Sequence, residues 1–394
     1  MTTRVNANGR GLVVIFFSSF LALSGAFMLL PLNILRLTRS PDAPLLAGLF
    51  GATSWLGIFA LTPWVSWLTH RWGRRAAMQV AGWVPVASVL IFVLVNDVAW
   101  WFVAQLAAGM AVGMRWVLSE ALVAELAGPQ SRGRMVGLFE TVVGLTFFLG
   151  PWLVAELGTD ARATWYVALV FIALGAVANH ALPALPWPRV SQPVATGVKG
   201  VWQALSAHPI VMLVGVVAGF FEVGLSALLP VLGLSLGFNN AQSALLIAAS
   251  GLGSAALMWP TGWLADRLGR HHDHPHRARW GLLRACATLI LLATLTMPWL
   301  DAQPHLAWPL ALIWGGAGGV LYTVVMIEIG FRHQGVALVN STVVLVMAYT
   351  LGGMLAPSLG AAAMQWVTPW GLTTLLVVVA GVGCVALWSR PAPP

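Results

Sequence analysis

The sequence predicts an all-α integral membrane protein with twelve transmembrane helices in two six-helix pseudo-repeats, and three observations carry that prediction. Of 394 residues, 59 % are hydrophobic and only 8 % charged, against about 25 % charged in soluble domains. With a mean hydropathy of +0.85, the chain has too little polar surface to wrap a water-soluble body, which excludes a cytosolic enzyme or a secreted domain and makes the bilayer its solvent. Its apolar residues fall in twelve runs, and the later runs repeat features of the earlier ones. These runs are continuous rather than alternating over ~10 residues, so a β-barrel is excluded.

A spanning helix needs ~20 mostly apolar residues. Span one (12–35) follows Arg4 and Arg10, is too long for a signal-peptide core and has no small-residue cleavage site after it, so it reads as a retained helix. Spans two (45–68) and three (77–96) flank the basic turn at Arg71, Arg74 and Arg75. Span four (99–125) starts at an aromatic pair, Trp100-Trp101, and span five (135–157) leaves the basic turn at Arg132 and Arg134. Span six (163–183) runs into a stretch with Pro, Ser and Gly from Pro186 to Pro209, read as a linker. Spans seven (209–235), eight (241–263), nine (282–299), ten (306–330), eleven (339–366) and twelve (370–389) complete the set. The division is then 1–185 for the first half, 186–208 for a cytoplasmic linker and 209–394 for the second half.

The charges set direction. With the N-terminus in the cytoplasm, sixteen of the 20 Lys and Arg lie on that side, only Arg36, Arg39 and Arg162 lie outside, and Arg115 is within a span. That asymmetry places both termini in the cytoplasm of a cytoplasmic (inner) membrane. The net charge of +8 therefore reports topology; scattered over short loops without interleaved aromatics, it does not point to nucleic acid.

The repeat is visible in two places. Ser66 to Arg75 reads S-W-L-T-H-R-W-G-R-R and Gly262 to His271 reads G-W-L-A-D-R-L-G-R-H, with five of ten positions identical. Gly109 and Gly113 in span four match Gly315 and Gly319 in span ten, Trp116 answers Tyr322, and Pro151 answers Pro357. Such a repeat places a substrate site near mid-membrane between the halves, reached by rocking of one against the other. On these residues the chain resembles a transporter of the major facilitator superfamily (the MFS fold), whose loops between spans two and three and between eight and nine carry G-x-x-x-D-R-x-G-R-R/K. Gly262, Asp266, Arg267, Gly269 and Arg270 match the pattern; the first copy keeps Arg71, Gly73, Arg74 and Arg75 but has Ser66 for the glycine and His70 for the acid. Met114 to Glu120 with Arg132-Gly133-Arg134, and Gly315 to Tyr322, resemble the YcaD-like branch. The resemblance implies that these loop residues form a conformational gate. Physically, Asp266 can accept hydrogen bonds from an adjacent helix N-terminus or pair with an arginine; the alternative is that the arginines only anchor topology.

A charge at membrane depth costs at least ~2.5 to 3.5 kcal/mol, so each one is a functional candidate. Arg115 and Glu120 lie in span four, Glu140 in span five and Glu222 in span seven. By resemblance, spans one, four, seven and ten line the central cavity. A carboxylate that alternately gains and loses a cationic partner can load and release a proton; Glu222 is the first proton-coupling candidate, with Glu140 and Glu120 behind it. Arg115 stays charged and needs a carboxylate or an anionic ligand group, so it is read as substrate anchor or counter-ion. The alternative is a permanent interhelical pair with Glu140 or Glu120. Five residues separate Arg115 from Glu120, which puts them roughly 140° apart on one helix and argues against a pair within it. Glu222, Trp116, Trp55, Asn33 and Tyr322 complete the substrate-binding candidates, and Glu120 and Glu328 lie nearer the gate.

Two departures from the drug-antiporter pattern of that superfamily stand out. Gln105 occupies the place of an arginine before Gly109, and Thr146 precedes Gly150-Pro151 without the closing glycine pair. The run His271-His272-Asp273-His274-Pro275-His276 has metal-ligand types, but a polar, partly cationic loop is the preferred reading, and no metal or other cofactor is assigned. Cys286 and Cys384 lie in apolar runs, so no disulfide framework is expected. No G-x-x-x-x-G-K-S/T run is present, which argues against ATP drive, and no nucleophile, base and orienting acid can be grouped into an enzyme site. The expected partners are a small-molecule substrate, protons and the lipid bilayer, and the resemblance implies a monomer. The function expected is proton-coupled movement of a small amphipathic organic solute by alternating access, with efflux antiport favoured. Uptake of an anionic nutrient or metal chelate, lipid flipping, and a non-transporting membrane sensor stay open.

Overall fold

Among the described residues of the computed structural model, twelve helices are long and apolar enough to cross a membrane. The structure describes residues 2–37, 43–158, 162–184, 194–207, 209–271, 275–366 and 370–390. Its helices are α1 (Thr2–Leu37), α2 (Ala43–Leu61), α3 (Val65–Trp72), α4 (Arg74–Leu94), α5 (Val98–Leu126), α6 (Arg132–Leu157), α7 (Arg162–Ala178), α8 (Gly197–Ala207), α9 (Pro209–Gly219), α10 (Leu229–Ser235), α11 (Asn240–His271), α12 (Pro275–Thr294), α13 (Ala307–Arg332), α14 (Gly335–Trp366) and α15 (Gly371–Trp388). The protein is an all-α, multi-pass membrane protein. Many Leu, Val, Phe and Trp side chains, among them Val13, Phe17, Leu94 and Val385, face outward, which suits a surface solvated by lipid.

One place differs from the sequence expectation. Span seven is not one helix: α9 ends at Gly219, a π-helical turn covers Phe220–Gly224, a 3₁₀ turn covers Leu225–Ala227, and α10 resumes at Leu229. Pro230 cannot donate to the ladder and crowds the turn before it, while Gly219 and Gly224 let α14 approach closely at Tyr349 and Ala356. Within the linker stretch 186–208, α8 occupies Gly197–Ala207. Its start is held by the Gly197 N–H, which donates to Ser66 Oγ at 2.8 Å.

Contacts divide the chain into two compact units. The first comprises residues 1–127, 145–204 and 333–343. Its core joins Met28, Leu32, Phe50, Val89, Phe92, Trp101 and Ile172, with Phe92 edge-on to both Phe50 and Trp101. In lipid there is no hydrophobic drive between helices, so small residues that let backbones approach decide the packing. Gly25 and Gly175 bring α1 and α7 together, and Gly57, Gly109 and Gly113 bring α2 and α5 together: a Cβ on Gly109 would collide with the Ser54 carbonyl, and one on Gly113 would come within 3.0 Å of Thr62 Oγ1. The second unit comprises residues 128–144, 205–332 and 344–394. There α11 and α13 approach through Gly253, Gly315 and Gly319, with Gly315 against the Ser250 carbonyl and Gly319 against Ser254. The glycine pairs matched in sequence thus make equivalent contacts, fourth span against second in each case.

Candidate functional site

In the second unit, Glu222 sits on the π-helical turn of span seven. Such single turns insert an extra residue and recur at functional positions. The Ser254 hydroxyl on α11 donates to Glu222 Oε1, and the Tyr349 hydroxyl on α14 donates to Oε2 at 3.0 Å. Tyr349 in turn meets Tyr322 of α13 edge-on, with ring centroids 4.8 Å apart. Glycine at 318 and 319 of α13 makes the room: a Cβ on Gly319 would lie 2.9 Å from Glu222 Oε1, and one on Gly318 3.1 Å from Glu222 Cβ. Among the described residues, no Lys, Arg or His pairs with this carboxylate. It is held by two neutral hydroxyls at a break in a spanning helix, a setting in which it can gain or lose a proton without disrupting an ion pair.

Sequence reasoning identified Glu222 and Tyr322 but missed Ser254 and Tyr349. The available signal was thin: the chain has only three tyrosines, and two of them meet here. Glu140 lies buried on α6, within the second unit.

In the first unit, Arg115 on α5 is 3 % exposed. Neither Nη1 nor Nη2 has a hydrogen-bond partner among the described residues. One turn further along α5, Ser119 Oγ lies 3.4 Å from Ser19 Oγ of α1. Glu120 instead accepts from Trp116 Nε1 at 2.5 Å, so the Trp116 N–H is occupied within its own helix. Asn33 on α1 is buried, with its amide unpartnered among the described residues, and Trp55 on α2 is half-buried.

The loop motifs have definite geometry. Asp266, near the end of α11, accepts from the backbone N–H of Gly133 (Oδ1, 2.7 Å) and of Arg134 (Oδ2, 2.9 Å) at the start of α6, and Arg134 Nε lies 3.5 Å from Oδ2. The approach is possible because Gly262 and Gly133 face each other: a Cβ on either would strike the other's carbonyl. Arg267 covers the Trp263 ring, and the side chain of Arg270 lies outside the described residues. In the first copy, Arg71 covers Trp67, Arg75 donates to the His180 carbonyl at 2.7 Å, and Gly73, at φ +82°, makes the sharp turn from α3 to α4. Arg74 Nη1 donates to Glu125 Oε1 at 2.7 Å, a partner that was not among the sequence candidates. The second unit holds a matching pair, Arg279 Nε to Glu328 Oε2 at 2.6 Å, with Arg332 and His276 also on Glu328. Residues 272–274 of the histidine run lie outside the described residues, and among those described no three His, Cys, Asp or Glu are grouped to hold a metal.

The family model of the Major Facilitator Superfamily matches residues 12–342. The chain belongs to the major facilitator superfamily. Among superfamily relatives, it is 25 % identical over 347 residues to the uncharacterized MFS-type transporter YcaD of Escherichia coli O45:K1, covering 86 % of this chain and 84 % of YcaD. It is 22 % identical over 253 residues to the uncharacterized MFS-type transporter YfkF of Bacillus subtilis, a match spanning 62 % of this chain and 63 % of YfkF. The fold is similar to that of the human organic anion transporter MFSD10, with a TM-score of 0.78 and 19 % identity over 96 % of this chain and 99 % of that one. It is also similar to that of the Escherichia coli fucose:proton symporter FucP, with a TM-score of 0.73 and 12 % identity over 96 % of this chain and 97 % of that one. At these identities the solved structures speak for the superfamily fold alone.

Proposed function

We propose that this chain is a secondary active transporter of the cytoplasmic membrane that moves a small amphipathic organic solute by alternating access, exporting it in exchange for protons. The observation that carries the reading is Glu222, a carboxylate on an interrupted helix held only by the Ser254 and Tyr349 hydroxyls among the described residues. Interrupted spanning helices are where secondary transporters bind substrate and coupling ions. A group so placed can exchange its proton when the site opens to one side and then the other. Glu222 is the proton carrier in this reading, and Glu140 and Glu120 are secondary acids. The halves 1–185 and 209–394 are the rocking bundles, joined by 186–208, and the protein works as a monomer with both termini in the cytoplasm. The sixteen-to-three distribution of basic residues supports that orientation.

A second reading concerns the solute. A buried guanidinium whose terminal nitrogens have no partner among the described residues is costly, so Arg115 favours a solute carrying a carboxylate or another anionic group, in either direction of transport. Trp116, Trp55, Asn33 and Tyr322 are the accompanying candidates for solute contact.

The test is proton flux in proteoliposomes of the purified protein with a trapped pH dye, screened against pooled metabolites and drugs, with Glu222→Gln in parallel. A solute-triggered pH change that is lost in Glu222→Gln supports the reading, and its sign separates exchange from co-transport. A change that persists in the variant removes Glu222 from the coupling step.

A further inference from the structure

The two copies of the loop motif differ at the residue that matters most for helix capping. In the second copy the acid is Asp266, and it satisfies two backbone N–H groups at the start of α6. At the equivalent place the first copy has His70, on the exposed side of α3. The first turn of a helix leaves backbone N–H groups in need of acceptors, and a carboxylate there gains both a charge-assisted hydrogen bond and a favourable interaction with the helix dipole. With no carboxylate at position 70, a carboxylate for the start of α14 has to come from another element.

It finds one at the end of α5. Glu125 Oε2 accepts from the N–H of Gly335 at 3.2 Å, the first residue of α14, while Oε1 holds the buried Arg74 at 2.7 Å. Gly335 adopts φ +57°, a turn open to glycine that aims its N–H at α5. A second tie lies within the next turns of α14, where Asn340 Nδ2 donates to the Ala195 carbonyl at 2.9 Å. All of these residues belong to the first unit.

We infer that Glu125 does for α14 what Asp266 does for α6: it replaces the acid missing from the first loop motif and positions the start of α14 during the transport cycle. The two acids reach their targets differently. Asp266 turns each of its oxygens to a backbone N–H of α6, with Arg134 also near Oδ2, whereas Glu125 divides its two between an arginine of α4 and a single N–H of α14. The Glu125 contact with α14 is thus a single bond, longer than either Asp266 bond to α6.

The test is amide hydrogen exchange on the full-length protein in lipid nanodiscs, read at residues 335–338 and 133–136. A hydrogen bond to a charged acceptor is strong enough that Glu125→Gln is expected to speed exchange at 335–338 about tenfold, leaving 133–136 at the native rate. Asp266→Asn is expected to leave 335–338 at the native rate and to speed exchange at 133–136 by about thirtyfold or more. Adding His70→Asp to Glu125→Gln restores the acid to the loop and is expected to return 335–338 toward the native rate. Should Glu125→Gln fail to fold, Glu125→Asp keeps the charge for Arg74 while drawing back from Gly335, and it is expected to speed exchange at 335–338 to a smaller degree. Native exchange at 335–338 in the Glu125 variants, or no recovery with His70→Asp, overturns the inference.

Discussion

Replacing Asp266 with Asn tests how firmly the start of α6 is held. The side chain is fully enclosed, and its two oxygens serve two backbone N–H groups at 2.7 and 2.9 Å. Asn keeps one carbonyl oxygen, so one N–H retains its acceptor and the other faces an amide N–H₂ that cannot accept. A hydrogen bond to a charged group contributes about 1.5–3 kcal/mol, and a charge at a helix N-terminus adds roughly 0.3–1 kcal/mol. Their sum, about 2–4 kcal/mol, corresponds to a factor of about 30 to 1,000 in local opening at 1.4 kcal/mol per tenfold. The Gly262–Gly133 backbone contact survives the substitution, so the effect is expected to stay within the first turn. Hydrogen exchange at residues 133–136 of the full-length protein reads this directly. A change smaller than about tenfold, the least that one lost charge-assisted bond gives, would refute the reasoning.

Two further perturbations follow from the same contacts. Arg115→Met removes a buried charge with no partner for its terminal nitrogens among the described residues; replacing buried charge by apolar volume stabilises by about 1–4 kcal/mol in known cases, so the melting temperature in detergent is expected to rise while transport of anionic solutes is lost. A fall in melting temperature would show that Arg115 is instead a structural ion-pair member. Gly319→Ala puts a methyl 2.6 Å from Ser254 Oγ and 2.9 Å from Glu222 Oε1; overpacking of this kind costs about 1–3 kcal/mol, and both a lower melting temperature and weakened proton flux are expected, whereas native values for both would show that this room is not needed.

What the sequence makes legible follows the range of the interaction. Spanning helices are local apolar runs, so their number is readable without the fold, and Asp266 stands out because its motif is a contiguous spacing. The break in span seven is not legible in the same way: Gly219, Gly224 and Pro230 resemble the glycines and prolines common in any membrane helix, and only the approach of α14 shows why they are where they are. Ser254 and Tyr349 come to Glu222 from α11 and α14. A hydroxyl partner leaves no pattern in a helix that is apolar on every side. Glu125 reads as an ordinary helix-end charge until Arg74 and Gly335 are seen on its two oxygens, and its importance comes from an absence 55 residues away at His70. Within the metal-like run, His276 has a simpler use in the structure as a partner of Glu328.

The central claim is that Glu222 carries the proton. The most direct test is proton release on solute binding, measured with a pH dye in a weakly buffered solution of purified protein, using a solute returned by the flux screen. The native protein is expected to release protons in step with solute binding. Glu222→Gln, nearly the same in shape and still able to bond Ser254, is expected to bind the solute and release none. Undiminished proton release from Glu222→Gln would contradict the account.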